Sequence, residues 1–196
     1  MTELDDRTLL DRWQAGDTVA GQALFAKHFQ SVYSFFSTKL SDEAEELTQK
    51  TFAACVQARV RFRGDSTFKT FLFAIAKHQL YAAIETVRRT GARLDYGVTS
   101  IQDLVTTPGT KLARDQEHRH VIEAMRRLPI EQQALLEMHY WEELDAAALA
   151  EIFETTDVTI RQRLSRARKA LRELLESTHS PAIADKLFQS QGWLRE

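Results

Sequence analysis

From Leu144 to Leu175 the apolar residues recur at intervals of three and four, a period that only a helix converts into one face. Asp145 is placed to cap a first short helix, 146–153, with Leu149, Ile152 and Phe153 along one side. Glu154-Thr155-Thr156-Asp157 then breaks the pattern, and Thr156 or Asp157 can cap a second, longer helix. Ile160, Leu164, Ala167, Leu171 and Leu174 form the apolar stripe of that helix. Its other faces carry Arg161, Arg163, Arg166, Arg168, Lys169 and Arg172, with no carboxylate between Val158 and Arg172. A short helix, a tight turn and a longer basic helix constitute a helix-turn-helix, whose second helix normally enters the DNA major groove. An ordinary solvated helix face mixes charge signs. This one does not, in a chain whose formal net charge is −2, so the segregated basic face points to DNA.

The rest of the chain reads as helices too. Three Pro and seven Gly interrupt little, and alternating strand patterns are nearly absent. With 196 residues, 43 % of them hydrophobic, the chain can bury one or two small cores. A short helix over 3–14 turns Leu4, Leu9, Leu10 and Trp13 inward and stops near Gly16-Asp17. A longer one from Thr18 presents Leu24, Phe25, Phe29, Val32, Tyr33, Phe35 and Phe36. Ser41 or Asp42 caps a third, 43–60, with Leu47, Phe52 and Val56 inward. After the basic loop 59–67, Ser66 or Thr67 caps a fourth, 68–89. Between 90 and 111 periodicity is lost among Gly91, Gly97, Pro108 and Gly109, which marks a linker. Helices over 112–128 and from Pro129 onward then lead into the helix-turn-helix. The expected architecture is therefore all-α: two small helical domains joined by a flexible linker, the second containing the helix-turn-helix. Its boundaries are 1–90, 91–111 for the linker, 112–176, and a tail over 177–196.

Several function classes recede. A lone cysteine, Cys55, excludes an internal disulfide framework and, among Phe52, Ala53, Ala54 and Val56, reads as an inert buried thiol suited to a reducing cytoplasm. No apolar run reaches the roughly 18 residues of a membrane span, and the first six residues are no signal peptide. His118 and His120 lack the partners of a metal site, and no phosphate-cradling glycine loop occurs, so neither metal nor cofactor nor catalysis is expected. On the residues alone a helix-turn-helix regulator acting by itself, or a helical adaptor with a basic face, stays open beside a polymerase-associated factor.

Three stretches narrow the choice. Glu43-Ala44-Glu45-Glu46-Leu47-Thr48-Gln49-Lys50-Thr51-Phe52 resembles the acidic D-A-E-D-L-T-Q-E-T-F core-polymerase-binding segment of small extracytoplasmic-function sigma factors of bacterial RNA polymerase. Residues 61–72, RFRGDSTFKTFL, are similar to that family's F-R-G-x-S-x-F-x-x-W-L, and 163–172, RLSRARKALR, to its S-R-L-x-R-A-R-x-x-L-R. The resemblance spans roughly residues 5–175 in the family's order.

It implies a sigma factor that is no enzyme, binds core RNA polymerase and promoter DNA, and works in the cytoplasm without a membrane. By position it implies Arg161, Gln162, Ser165 and Arg166 at the −35 major groove or its flanking phosphates, with Arg163, Arg168 and Lys169 as further candidates. For the −10 element it implies Arg61, Arg63, Asp65, Ser66, Thr67, Lys69 and His78, and for core polymerase Glu43, Glu45, Glu46, Leu47, Gln49 and Phe52. The chain departs from the family at Phe71 for Trp, His78 for Asn, Glu154 for Gly and Lys50 for Glu. Lys50 weakens the acidic patch, and a phosphate on Thr51 would add about −1.5 to −2 charge beside it. Thr51 is therefore the expected target of a Ser/Thr kinase, with Thr48 as second choice and control by an anti-sigma factor as the alternative.

Overall fold

The computed structural model describes residues 4–59, 62, 64–87, 96–97, 99–104 and 116–177. Among them the regular elements are helices: α1 (Asp6–Gln14), α2 (Thr18–Ser37), α3 (Ala44–Ala58), α4 (Phe68–Val87), α5 (Ile101–Leu104), α6 (Gln116–Arg126), α7 (Ile130–Tyr140), α8 (Ala146–Ile152) and α9 (Asp157–Ser177). The all-α expectation is met. The tail 178–196 and most of the 91–111 stretch lie outside the described residues.

Local chemistry sets the helix starts. Asp5 accepts from Thr8 N at 2.7 Å, and Asp17 accepts from Val19 N and Ala20 N at 3.0 and 3.1 Å. Backbone donors thus hold both carboxyls below the ordinary carboxylate range. Gly16, at φ 101°, supplies the left-handed turn between α1 and α2. Thr67, Asp145 and Thr156 cap α4, α8 and α9 through Thr70 N, Ala148 N and Thr159 N. The start of α3 differs from expectation. Glu43 is the N-cap, with no side-chain capping bond, so neither Ser41 nor Asp42 fills that place. The acidic Glu45 and Glu46 instead complement the helix dipole there.

Helices α1–α4 pack together around Leu24, Val32, Phe36, Leu72, Phe73 and Leu80. Trp13 locks α1 in place, edge-on to Phe25 at 5.0 Å and to Phe68 at 6.5 Å. Gly21 makes room for it: a Cβ there would lie 2.4 Å from Trp13 Cδ1. Gly21→Ala should therefore destabilise despite alanine's helix preference of about 1 kcal/mol. Overpacking costs about 1–3 kcal/mol, and contact with a buried ring sits at the top of that range. A fall in the thermal midpoint is expected; an unchanged or raised midpoint would show that Trp13 yields freely.

Helices α6–α9 form the second group, with α9 packed on α6, α7 and α8. The stripe of α9 is Ile160, Leu164, Ala167, Leu171 and Leu175, ending on Leu175 rather than Leu174, which is only half-buried. Three residues expected inward are exposed: Leu4, Phe29 and Val56. Leu4 precedes the Asp5 cap and so lies outside α1, while Phe29 and Val56 stand at the edge of their helices' apolar stripes, where periodicity gives the face but not how far the neighbour extends.

The two groups touch. Helix α4 packs against α8, and α7 meets the end of α2 through the buried ion pair of Lys39 with Glu137. Thr38 donates to the Glu137 carboxylate at 3.0 Å, and Arg126 donates to the Thr38 carbonyl at 2.9 Å. Part of the 91–111 stretch is fastened as well. The Tyr96 ring stacks on Tyr81 at 3.9 Å, Ile130 N donates to Thr99 O at 2.9 Å, and Ile101 is fully buried.

Candidate nucleic-acid interface

Helix α8, the turn around Glu154 and helix α9 make the expected helix-turn-helix. Glu154 takes φ 52°, the left-handed conformation a glycine adopts without strain, so the turn is retained at a cost of order 1–3 kcal/mol. Burying Ile160, Leu164, Ala167 and Leu171 turns Arg161, Gln162, Ser165, Arg166 and Lys169 to solvent on one face. The expected groove-facing set is thereby brought together. Within it Arg161 pairs with Asp157 one turn back, at 2.8 Å. Arg163 and Arg168 do not join that face: Arg163 pairs with Glu131 of α7, and Arg168 leans toward the Tyr140 hydroxyl at 3.5 Å. A guanidinium in reach of solvent can engage guanine or phosphate bidentately, whereas one tied to a carboxylate must first release it.

The second surface lies on α4 and the loop before it. Asp65, Ser66, Thr67 and Lys69 line one wall of a cleft of about 830 Å³, and Glu142, Leu144 and Asp145 line the other. Lys69 Nζ donates to the Glu142 carbonyl at 2.6 Å and pairs with its carboxylate at 3.0 Å. About two turns further along, Lys77 is buried and donates to the Ile152 carbonyl, with the Phe153 ring 5.3 Å away. Burial holds its amine below the ordinary lysine range, while the Glu154 carboxylate opposes that shift. His78 stays exposed, 3.9 Å from the Glu154 carboxylate. Arg61 and Arg63 lie outside the described residues.

The third surface is on α3. Glu45, Glu46 and Gln49 are exposed, Glu43 and Phe52 are half-exposed, and Leu47 is buried. Leu47 packs into the core. Beside the acidic residues the structure sets an aromatic strip that periodicity did not single out. Phe29, 44 % exposed, stacks on Tyr33 at 6.1 Å and on Phe52 at 6.4 Å, with exposed Val56 on the same helix as Phe52. Its one signal in the sequence was an excess of aromatics over what one stripe of α2 can bury.

Thr51, the expected kinase target, lies on the inner face of α3. It is fully buried and its hydroxyl donates to the Leu47 carbonyl at 2.8 Å; Thr48 is equally buried and donates to Ala44 O at 2.6 Å. Neither offers a kinase a hydroxyl in this conformation, because the i, i+3/i+4 spacing from Ala44, Leu47 and Cys55 puts both on the inner face. Lys50 is exposed and already neutralised by Glu46 at 2.6 Å. Cys55 is fully buried, and burial pushes its thiol up to about 12. His118 stacks on Trp141 at 5.6 Å. No helix among the described residues is long and apolar enough to cross a membrane.

Comparison with known proteins bears on these surfaces. Residues 24–90 match the family model for Sigma-70 region 2, and residues 118–171 match that for Sigma-70, region 4. The RNA polymerase sigma-H factor of Pseudomonas aeruginosa is 27 % identical over 187 residues, covering 90 % of this chain and 96 % of that one. The ECF RNA polymerase sigma-E factor of Haemophilus influenzae is 26 % identical over 192 residues, covering 92 % and 98 %. Among solved structures, CnrH in complex with the cytosolic domain of CnrY superposes with TM-score 0.64 at 19 % identity, covering 88 % of this chain and 97 % of that one. The sigma factor RpoE, solved in complex with the anti-sigma factor NepR from Bartonella quintana, gives TM-score 0.57 at 22 % identity, covering 76 % and 91 %. At those identities the structural likeness speaks for the fold alone.

Proposed function

The chain belongs to the sigma-70 family, as an extracytoplasmic-function sigma factor, and from that membership we propose that it binds core RNA polymerase and directs it to specific promoters. The observation that carries this reading is the exposed basic face of α9, set on a helix-turn-helix whose apolar stripes are buried. A recognition helix needs exposed side chains to enter the major groove, and Arg161, Gln162, Ser165, Arg166 and Lys169 are so placed, Arg161 having first to release Asp157. These residues are assigned to the −35 element. Arg163 and Arg168, already engaged with Glu131 and Tyr140, are assigned to flanking phosphates at most.

The −10 element falls to Asp65, Ser66, Thr67, Lys69 and His78, with Arg61 and Arg63 assigned by position. A loop with hydroxyls and neighbouring aromatics can hold a base drawn out of the stack. Core polymerase falls to Glu43, Glu45, Glu46 and Gln49, extended by the apolar strip of Phe29, Phe52 and Val56. Acidic residues beside an apolar strip suit a partner surface that is basic and apolar in turn. The functional divisions follow as 1–90 for core and −10 binding, 91–111 as linker, 112–176 for −35 binding, and 177–196 as tail. The protein is no enzyme and acts in the cytoplasm, where polymerase meets promoters. Control by an anti-sigma factor, the kind of partner with which RpoE was solved, is preferred to phosphorylation because Thr51 is buried.

Reconstitution tests the reading. Purified protein mixed with core RNA polymerase and sheared genomic DNA should give transcripts with discrete start sites, and neither component alone should. Specific duplex binding by the protein alone, with no association with core polymerase, would make it a free-standing helix-turn-helix regulator.

A further inference from the structure

Two acidic turns flank α8, and both rest on the face of α4 just assigned to promoter DNA. The first, residues 142–145, presents Glu142 to Lys69, with the carbonyl at 2.6 Å and the carboxylate at 3.0 Å. The second presents the Ile152 carbonyl to buried Lys77, and the Glu154 carboxylate to Lys77 and His78 at 4.0 and 3.9 Å. Between them α8 packs against α4. A carboxylate or carbonyl oxygen seated on an ammonium makes the contact that a DNA phosphate oxygen would make. Each turn also carries a non-glycine residue in the left-handed region, Glu143 at φ 54° and Glu154 at φ 52°. Local backbone bonds close both turns, from Leu144 N to the Met138 carbonyl and from Thr155 N to the Ala150 carbonyl, so each turn keeps its shape independently of α4.

We propose that these two turns are an intramolecular stand-in for DNA phosphate: in the closed molecule they cover Lys69 and Lys77 on α4, and a single strand reaches those two lysines only when α8 lifts away. The proposal rests on the assignment of that face to the −10 strand. The closed and open forms are then linked. Whatever separates α8 from α4 strengthens single-strand binding, and single-strand binding separates them by the same factor. Helix α9 is not covered, so duplex contacts through Arg161, Gln162 and Arg166 do not require opening.

The test uses the full chain with spin labels at Ala26→Cys and Glu173→Cys, both exposed positions, while fully buried Cys55 stays unlabelled. The probe is a fluorescent mixed-sequence single strand of about 15 nucleotides, compared with its duplex. Glu142→Lys sets like charge against Lys69 and should lengthen the label distance and tighten single-strand binding at least about tenfold. Lys69→Ala added to it should remove most of that gain, and Glu151→Lys, an equal charge change on the exposed side of α8, should give little. Saturating single strand should also lengthen the distance in the parent protein. The proposal is overturned if Glu142→Lys keeps the parent distance or lengthens it without tightening binding. An equal gain from Glu151→Lys, or a parent that binds the strand without opening, overturns it too. Failure of the underlying assignment looks different: the opened variant then binds no single strand, and the parent fails to support transcription with core polymerase.

Discussion

Replacing Glu137 with leucine should cost about 3–5 kcal/mol, because it leaves the Lys39 ammonium buried without its countercharge. Lys39 is fully buried, and its Nζ reaches only the Phe35 carbonyl at 2.8 Å, the Thr38 hydroxyl at 3.2 Å, the Phe35 ring at 3.8 Å and the Glu137 carboxylate. Burial pushes the Lys39 amine down and the Glu137 carboxyl up, and their mutual attraction opposes both shifts. With Glu137 gone, burial and the Arg126 charge still push Lys39 down, and the Glu142 carboxylate is left to oppose them. The unfolded chain then binds its proton more tightly than the folded one, so stability should climb as pH rises toward about 10.4 and fall away below. Lys39→Met combined with Glu137→Leu should recover most of the loss, since two apolar side chains need no countercharge. Thermal unfolding of the two single variants and the double variant gives the coupling energy directly. A single variant as stable as the parent would mean that this pair does not hold α7 on the end of α2. Because the pair joins the two helix groups, loss of that junction should be visible even if each group stays folded.

Arg166→Ala should lower transcription from the chain's own promoters roughly 5- to 150-fold, the equivalent of about 1–3 kcal/mol for one bidentate contact. Arg166 is exposed on the same face of α9 as Gln162 and Ser165, so its loss disturbs no packing. Lys169→Ala should act differently, weakening duplex binding uniformly across sequences and reducing the salt slope by about one. Arg163→Ala should cost stability through Glu131 before it costs promoter choice. Affinity for core polymerase should be unchanged in Arg166→Ala, because Glu45, Glu46 and Gln49 sit on α3 in the other helix group. A parallel loss of core affinity would assign the α9 face to polymerase instead of DNA.

The nature and order of the helices were legible in the chain because their causes are local. Asp145, Thr156 and Thr67 cap where they stand, and Ile160, Leu164, Ala167 and Leu171 recur at the helical period whatever surrounds them. The basic face of α9 was legible for the same reason, since burying one stripe leaves Arg161, Gln162, Ser165 and Arg166 no other side to occupy. Thr51 was singled out by the charge of its neighbour Lys50, and charge does not report burial: one step around a helix is enough to bury a hydroxyl.

Contacts across long stretches of chain had no such signature. Nothing local in Lys39 or Glu137 announces that they meet, nor that Lys69 will find Glu142 and Lys77 the end of α8. Charged side chains are solvated by default, so a sequence shows them as surface until tertiary packing removes the water and makes the partner obligatory. The chain by itself therefore determined the helices and the faces they offer. The packing of α4 on α8 decided which of those faces stay exposed and which are covered by the protein's own acidic turns.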